Sequence, residues 1–316
     1  MENDDKLHDI IMIGAGPSAL AAAVYTTRED LDTVLLEKGV VGGLAATTDW
    51  VDNYPGFADG IEGLKLAEQL EAQAKRFGAD IRYGEVTQII DKGDHKEVET
   101  MMDGTLKART VLIATGSDYK KLGIPGEADY YGRGVHYCAT CDGAFYREKT
   151  LAVVGGGNSA VQEALFLTKF ASHIDLLVRS QLRASEVLQR ELDKAVSEGK
   201  ITLHLATTTD EIVSTDGKTV SGVKITQEGV QSTLTVDGVF VFIGLLPNTG
   251  FLKSSAIELD DIGMVKTDIG LQTTMPGVFA SGDVRSGATA QIASAVGEGA
   301  TAALRMREYL DELARK

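Results

Sequence analysis

The chain has 316 residues, with 31 lysines and arginines against 46 aspartates and glutamates, and therefore a formal charge of −15. This acidic balance argues against a nucleic-acid or anionic-membrane partner, because no excess positive field is present to attract phosphate. The apolar fraction of 43% and the charged fraction of 24% are those of an ordinary globular protein, and the length predicts about two domains.

The N-terminal residues 1–6 are mostly acidic or polar and lack the basic start of a signal peptide. The longest apolar stretch, residues 10–25, is interrupted by two glycines, a proline and a serine, so we expect no membrane span. These features predict a cytoplasmic protein. In that reducing compartment the lone cysteine pair, Cys138 and Cys141, is expected to be catalytic rather than structural.

An apolar run, a glycine turn, a helix-like segment and a second apolar run occupy residues 10–37. The turn has the sequence Gly14-x-Gly16-x-x-Ala19, in which the first glycine permits a tight turn and the second lets the backbone approach a pyrophosphate. Glu37 follows at the end of the second run, where a carboxylate accepts hydrogen bonds from ribose hydroxyls. The segment predicts dinucleotide binding; the alternative is a glycine turn in an ordinary α/β domain.

The same pattern returns at residues 151–178, at a constant offset of 141, with the turn Gly155-x-Gly157-x-x-Ala160. Both copies end in turn-punctuated β segments, and the tail after residue 246 contains no third fingerprint. The tail must therefore complete one of the two repeats.

We predict an α/β fold with two Rossmann-like, three-layer ββα nucleotide-binding domains, one inserted into the other. The discontinuous domain comprises residues 1–117 and 247–316, and the inserted domain comprises residues 118–246. The hairpin signal Asp216-Gly217 lies between β segments of the inserted domain.

The second copy differs from the first where it matters for cofactor choice. At the position of Glu37 it carries Val178, followed by Arg179 and Arg183. Without the acid, a 2′-phosphate meets no repulsion there, and an arginine can pair with it. This favours NADPH over NADH; the alternative is two exposed arginines on a loop. Two unlike nucleotide sites in one chain suggest electron transfer between a flavin and a nicotinamide cofactor.

Cys138 and Cys141 have the CxxC spacing, which lets two sulfurs close a small ring and lets the local field favour a thiolate near neutral pH. Asp142, directly after them, is a candidate for moving protons during each turnover; the alternative is a solvated turn carboxylate. Zinc requires four ligands, and the chain has no further cysteine and no paired histidines. We therefore predict a redox pair and no metal, with two inert buried thiols as the other alternative.

Taken together, these motifs resemble the low-molecular-weight thioredoxin reductases of bacteria and archaea over essentially the whole chain. The motifs that carry the resemblance are Gly14-Ala-Gly-Pro17, Gly42-Gly-Leu-Ala45, Asp52-Asn-Tyr-Pro-Gly56, Ala114-Thr-Gly116, Cys138-Ala-Thr-Cys-Asp-Gly143, Gly155-Gly-Gly-Asn158 and Gly282-Asp283. The resemblance implies a thioredoxin–disulfide reductase that acts as a homodimer with thioredoxin as its partner.

The resemblance also implies two sets of cofactor-binding residues. The FAD set in the discontinuous domain is Gly14, Gly16, Pro17, Ser18, Ala19, Glu37, Gly43, Leu44, Asn53, Val86, Ala114, Thr115, Gly116, Gly282, Asp283, Gln291 and Ile292. The NAD(P)H set in the inserted domain is Gly155, Gly157, Asn158, Ser159, Ala160, Arg179, Arg183 and Gly244.

By the same resemblance, a hydride passes from NAD(P)H to FAD and two electrons then pass to the Cys138–Cys141 disulfide. Cys141 faces the flavin, Cys138 exchanges with thioredoxin, and Asp142 is the acid–base group.

Two departures from the family's pattern leave alternatives open. The family's NADPH signature usually has one more arginine than the segment around Arg179 and Arg183, so NADH or another donor such as ferredoxin stays open. The family often has Arg-Gln-Ala near the flavin, whereas this chain has Ala290-Gln291-Ile292. A flavin-dependent dithiol oxidase and a non-catalytic redox sensor are the alternative functions.

Overall fold

The computed structural model describes residues 6–48, 50–102 and 104–315. Residues 1–5 and 316, which include the outer ends of the predicted domain limits, lie outside the described residues, as do 49 and 103. The chain divides into two compact units, Met1–Asp118 with Leu246–Lys316, and Tyr119–Leu245. Each unit is built around its own largely parallel β-sheet.

The described residues contain strands and helices in the following order. The strands are β1 (Leu7–Ile13), β2 (Thr33–Glu37), β3 (Asp80–Tyr83), β4 (Val86–Asp91), β5 (Lys96–Thr100), β6 (Thr105–Ile113), β7 (Ser117–Tyr119), β8 (Val135–His136), β9 (Thr150–Val154), β10 (His173–Leu177), β11 (Ile201–His204), β12 (Thr207–Val213), β13 (Gly222–Gln227), β14 (Val230–Leu234), β15 (Gly238–Val241), β16 (Leu245–Pro247) and β17 (Val278–Ala280). The α-helices are α1 (Pro17–Arg28), α2 (Gly43–Ala46), α3 (Gly63–Arg76), α4 (Ala139–Asp142), α5 (Asn158–Leu167), α6 (Glu186–Ser197) and α7 (Ile292–Ala314). Short 3₁₀ turns cover Gly143–Tyr146 and Gly250–Leu252.

The sheet of the first unit has the strand order β3-β2-β1-β6-β5-β4, and β17 also pairs with β6. Strand β6 has two neighbours on one side: residues 105–108 pair antiparallel with β5, and residues 111–113 pair parallel with β17. The hairpin β4–β5 therefore extends an otherwise parallel sheet.

The central strand β1 is apolar because both of its faces are buried. Ile10 and Met12 pack with helices α1 and α7, whereas Ile11 and Ile13 pack with residues of β4 and β5 on the other face. A strand covered on both sides has no reason to alternate apolar and polar residues, which explains the continuous apolar run at residues 10–13.

Helices α1 and α7 lie against each other on one face of this sheet. A Cβ atom at Gly299 of α7 would lie 2.1 Å from the carbonyl oxygen of Ser18 in α1. The hydroxyls of Ser18 and Ser281 are 2.6 Å apart and share a buried hydrogen bond. Small residues thus bring α7 close to the start of α1.

The second unit has a five-stranded parallel sheet in the order β11-β10-β9-β15-β8. Residues of α5 and α6 pack on one face of it, and the antiparallel meander β12-β13-β14 packs on the other. The predicted three-layer ββα arrangement is confirmed, as are the repeated strand–helix–strand units β1-α1-β2 and β9-α5-β10. Among the described residues, no helix is both long enough and apolar enough to cross a membrane.

The hairpin signal Asp216-Gly217 lies in the connection between β12 and β13, which spans residues 214–221. This loop is longer than the two-residue turn that the signal favours. The Oδ1 atom of Asp216 accepts hydrogen bonds from the N–H groups of Lys218, at 2.8 Å, and Thr219, at 3.1 Å. The signal therefore marks a side-chain-stabilised turn inside a longer loop.

Gly299→Ala is expected to lower the free energy of unfolding by about 1–3 kcal/mol, because its Cβ would overlap the backbone of α1. Gly297→Ala is the matched control, since no atom lies within 4 Å of the Cβ position of Gly297 in the same helix. Alanine there should stabilise the helix by about 0.5–1 kcal/mol. Denaturant unfolding of both variants measures the difference, and equal effects would contradict the importance of the close helix contact.

Candidate functional site

The first glycine turn connects β1 to α1 and leaves room for a ligand at the helix N-terminus. Gly14 has φ of +97°, and a Cβ there would lie 2.5 Å from the carbonyl oxygen of Ala114. Gly16 is the N-cap residue of α1, with no atom within 4 Å of its Cβ position, and Pro17 is the first residue of the helix. The free N–H groups at the start of α1 therefore face open space, which suits a phosphate.

Glu37, at the end of β2, is held by the backbone on both carboxylate oxygens. Its Oε2 accepts a hydrogen bond from the N–H of Ala15 at 2.7 Å, and its Oε1 accepts one from the N–H of Gly39 at 2.7 Å. Each oxygen retains a lone pair, because a carboxylate can accept about four hydrogen bonds. The carboxylate is thus fixed at the place where ribose hydroxyls are expected.

A cavity of about 320 Å³ runs past this turn in the first unit. The predicted residues that line it are Gly14, Gly16, Pro17, Ser18, Glu37, Gly43, Leu44, Ala114, Thr115, Gly116, Gly282, Asp283, Gln291 and Ile292. Lining residues outside the predicted FAD set are Lys38, Gly39, Val40, Ala45, Thr47, Ser117, Asp118, Asn248, Ser281 and Ala295. The cavity therefore brings together segments that are far apart in sequence.

Three residues of the predicted FAD set do not line the cavity. Ala19 is fully buried and packs beneath the turn, the packing role predicted for a small residue there. Asn53 donates a hydrogen bond to the Oε1 atom of the lining residue Gln291, at 3.0 Å. Val86 is buried in the apolar core at the start of β4. For these three residues, as for those that line the cavity, a role in cofactor binding stays a prediction.

Most of the unpredicted lining residues adjoin a predicted motif, but Asn248 does not. Its Nδ2 atom donates to the carbonyl oxygen of Thr115 at 3.1 Å, and its carbonyl oxygen accepts from the Thr115 hydroxyl at 2.8 Å. These bonds bring residue 248 to the cavity from across the sequence. The sequence contained no local signal for this contact.

Asp283 is the most perturbed carboxyl group lining the cavity. Burial, with a smaller contribution from the neighbouring Glu298, raises the pKa of Asp283 from 3.8 to about 6. Glu298 itself accepts hydrogen bonds from Arg285 and from the N–H of Gly282. Burial thus disfavours a charge on Asp283, and the neighbouring carboxylate of Glu298 adds to this effect.

The second glycine turn, between β9 and α5, repeats the geometry of the first. A Cβ at Gly155 would lie 2.3 Å from the carbonyl oxygen of Phe242 and 2.7 Å from the Cβ of Ala160. Gly157 is the N-cap residue of α5, again with no atom within 4 Å of its Cβ position. Ser159 is exposed on the first turn of α5, and the open space beside Gly157 suits a phosphate.

The arginine loop that follows β10 is tied to this turn by its backbone. The N–H of Arg183 donates to the carbonyl oxygen of Gly156 at 2.7 Å, and the N–H of Ser185 donates to Oδ1 of Asn158 at 2.8 Å. Arg179 and Arg183 are both exposed, and among the described residues neither guanidinium pairs with a carboxylate.

Two further positions of the second unit bear on the predicted NAD(P)H set. Val178, at the position of Glu37, is buried and apolar. Gly244 lies after β15, and its Cβ position is 3.5 Å from the side chain of Lys120. The second unit thus has a buried apolar side chain where the first unit has a carboxylate.

Cys138 and Cys141 form a disulfide, with their Cα atoms 5.3 Å apart. Both residues are partly exposed, and Cys138 is the N-cap residue of the short helix α4. The N–H of Cys141 donates to Sγ of Cys138 at 3.2 Å. No cluster of three or more His, Cys, Asp or Glu side chains in the described part of the chain is arranged to hold a metal ion.

Asp142 ends α4, and its N–H donates to the carbonyl oxygen of Cys138 at 3.2 Å. Its Oδ2 atom lies 3.2 Å from Nδ1 of His136, whose Nε2 lies 2.7 Å from the hydroxyl of Tyr146. The motifs did not predict a role for His136. Its position two residues before Cys138 was the one available signal.

Replacing Asp283 with asparagine tests the environment of this carboxyl group. The raised pKa means that the native state favours the neutral carboxyl group of Asp283. The wild type therefore keeps its full free energy of unfolding below about pH 4 and loses part of it as the pH rises to about 6. Asp283→Asn stays neutral at every pH. Its free energy of unfolding relative to the wild type should therefore increase by roughly 2 kcal/mol from pH 4.5 to pH 6.5. Denaturant unfolding of the flavin-free proteins at both pH values measures this gain, and a difference that does not change with pH would contradict the raised pKa.

Comparison with known proteins agrees with this arrangement. The sequence matches the pyridine nucleotide-disulphide oxidoreductase family over residues 8–299. It is 44% identical over 316 residues to a thioredoxin reductase of Listeria monocytogenes, covering 99% of this chain and 97% of the relative. It is 41% identical over 314 residues to that of Bacillus subtilis, covering 98% and 97%. The crystal structure of thioredoxin reductase from Streptococcus pyogenes is similar, with a TM-score of 0.90 and 40% identity over 97% of this chain and 99% of that one. The chain is thus an oxidoreductase of the pyridine nucleotide-disulphide oxidoreductase family and, within it, belongs with the thioredoxin reductases.

Proposed function

We propose that this chain reduces the disulfide of thioredoxin, taking electrons from NADPH through bound FAD. The observation that carries the proposal is the Cys138–Cys141 disulfide. It occurs in a chain with two similar glycine turns, one beside the carboxylate of Glu37 and the other beside the arginine loop. A flavin and a nicotinamide site in one protein allow electron pairs to pass from a hydride donor to a disulfide.

The residues of the first unit fit FAD. The open space beside Gly16 leaves the α1 N-terminus available to a pyrophosphate, and Glu37 is placed to accept bonds from the adenosine ribose. The same cavity continues to Asp283, Gln291 and Ile292, which we assign to the ribityl chain and the ring. When bound, FAD supplies a hydride acceptor, which amino-acid side chains lack.

Reduction of the Cys138–Cys141 disulfide takes up two electrons and two protons and breaks the S–S bond. The Cys138 thiolate then attacks one sulfur of the thioredoxin disulfide, forming a mixed disulfide and releasing a thiolate on thioredoxin that takes up a proton. Attack by Cys141 on Sγ of Cys138 restores the ring and releases the thioredoxin dithiol. Asp142 is the group proposed to hold and return the proton.

The hydrogen bond between the two cysteines supports Cys138 as the attacking residue. The Cys141 N–H that donates to Sγ of Cys138 would stabilise a negative charge on that sulfur. A thiolate is the nucleophile in disulfide exchange, so a backbone donor aimed at one sulfur favours that sulfur as the reactive one.

The arginine loop supports NADPH as the donor. Arg179 and Arg183 are exposed and unpaired among the described residues, and two backbone hydrogen bonds hold their loop beside the second turn. Val178 presents no acid to repel a 2′-phosphate. NADH lacks that phosphate and would leave both guanidinium groups without a ligand.

We further propose a cytoplasmic homodimer, following the resemblance described above. The formal charge of −15 argues against a polyanion as partner but does not by itself select thioredoxin. The disulfide chemistry is what selects a dithiol–disulfide protein.

Cys138→Ser is expected to keep the bleaching of the flavin absorption band by NADPH and to lose thioredoxin reduction at least 10²-fold, as roughly expected when a nucleophile is removed. The two reactions are measured separately, by anaerobic stopped-flow absorbance and by a thioredoxin-coupled assay. Wild-type thioredoxin reduction by this variant would show that Cys138 is not the exchanging residue.

The variant combining Arg179→Ala and Arg183→Ala is expected to raise KM for NADPH roughly tenfold, with KM for NADH unchanged, because only NADPH carries the phosphate. Lys218→Ala, which removes an exposed cation from another loop of the same unit, is the control. Equal losses with both nucleotides would contradict the assignment of this loop to the 2′-phosphate.

A further inference from the structure

His136 lies in β8, just before the redox pair, and is almost completely buried, with 8% of its surface exposed. Its two ring nitrogens contact two different groups: Nδ1 is 3.2 Å from Oδ2 of Asp142, and Nε2 is 2.7 Å from the hydroxyl of Tyr146. A buried imidazole with both nitrogens occupied is fixed in orientation.

Aromatic contacts also hold the imidazole in place. Strand β8 pairs in parallel with β15, which sets His136 opposite Phe240. The two rings stack with centroids 5.1 Å apart, and Tyr146 meets the imidazole edge-on at 5.3 Å. Phe240 is fully buried, so the platform under the imidazole cannot shift without disturbing the core.

The partners of His136 indicate which of its nitrogens carries the hydrogen: a carboxylate can only accept a hydrogen bond, so the contact with Asp142 places a hydrogen on Nδ1. Burial, helped by the charges of Asp142 and Asp237, raises the pKa of Tyr146, so its hydroxyl stays protonated. With the Nδ1 hydrogen donated to Asp142, Nε2 of the neutral imidazole accepts a hydrogen bond from the hydroxyl of Tyr146. Asp237, the other charged group facing Tyr146, accepts hydrogen bonds from Lys149 and from the N–H of Thr150.

We propose that His136 is a positioning residue for Asp142, holding the carboxylate through the Nδ1 hydrogen while Tyr146 and Phe240 hold the imidazole. The inference rests on the proposed function, in which Asp142 takes up and returns the proton of disulfide exchange. A carboxylate held by one donor at a fixed place presents its second oxygen to the reacting sulfur in a constant geometry.

The experiment compares four variants of the FAD-loaded protein. His136→Phe keeps an aromatic ring on Phe240 but removes both nitrogens, and His136→Asn restores a donor near the position of Nδ1. Asp142→Asn tests the carboxylate itself. His204→Phe is the matched control: it removes a histidine 2.7 Å from Asp175 at the opposite edge of the same sheet.

Each variant is measured for flavin bleaching by NADPH, for oxidation of the reduced enzyme by thioredoxin in a single turnover, and for the pH profile of that oxidation. His136→Phe is expected to slow oxidation by thioredoxin about tenfold, with bleaching unchanged, as expected for loss of a hydrogen bond to a charged group. The rising limb of its pH profile should move to higher pH, because the ionised carboxylate loses a donor. His136→Asn should recover most of the rate, and His204→Phe should match the wild type.

The outcomes separate this inference from the function on which it rests. If Asp142→Asn is slow but His136→Phe is as fast as the wild type, the positioning role is wrong and the proposed function stands. If His136→Phe and His136→Asn are equally slow with an unmoved pH profile, the role of His136 is structural and the inference is overturned. If Asp142→Asn oxidises at the wild-type rate, the proton role of Asp142 fails, and the inference fails with it.

Discussion

In both units the backbone of a glycine turn touches the backbone of the neighbouring strand, and the rest of the molecule is arranged around that contact. A Cβ at Gly14 would lie 2.5 Å from the carbonyl oxygen of Ala114, and one at Gly155 would lie 2.3 Å from that of Phe242. Ala114 follows β6 and Phe242 follows β15, the strands that pair with β1 and β9. A side chain at either turn would push it away from the sheet and redirect the helix N-terminus that follows. The position of the helix N-terminus that we propose to bind phosphate is therefore set by the absence of one carbon atom in each unit.

Because the two turns are alike, selection between cofactors must come from the residues beside them. A carboxylate next to a pyrophosphate is repelled unless it is stabilised, and the N–H groups of Ala15 and Gly39 provide that stabilisation for Glu37. The second unit has no such carboxylate. Its cationic loop is instead bonded to the turn through the N–H of Arg183. The same glycine turn thus lies beside a carboxylate in one unit and beside a cationic loop in the other.

Local sequence was sufficient for the elements whose chemistry is local. The glycine turns, the continuous apolar runs of β1 and β9 and the CxxC pair each depend on residues within one short segment, so their patterns indicated them directly. Contacts that depend on distant segments were not predictable. Asn248 reaches the first cavity through bonds to Thr115, and Asp283 acquires its perturbed pKa by burial and from Glu298 on α7. Nothing near either residue in sequence signals its partner.

His136 shows the same limit at the redox pair and also what the structure adds there. Its strand has only two residues, and the register that sets it on Phe240 joins segments about a hundred residues apart. A disulfide that exchanges with a protein partner must be exposed, whereas a group that controls its protons must keep a constant position. Cys138 and Cys141 are partly exposed, and Asp142 is linked through His136 to a fully buried ring. The partly exposed cysteines and the buried support thus lie within a few residues of each other, because only two residues separate β8 from the short helix α4.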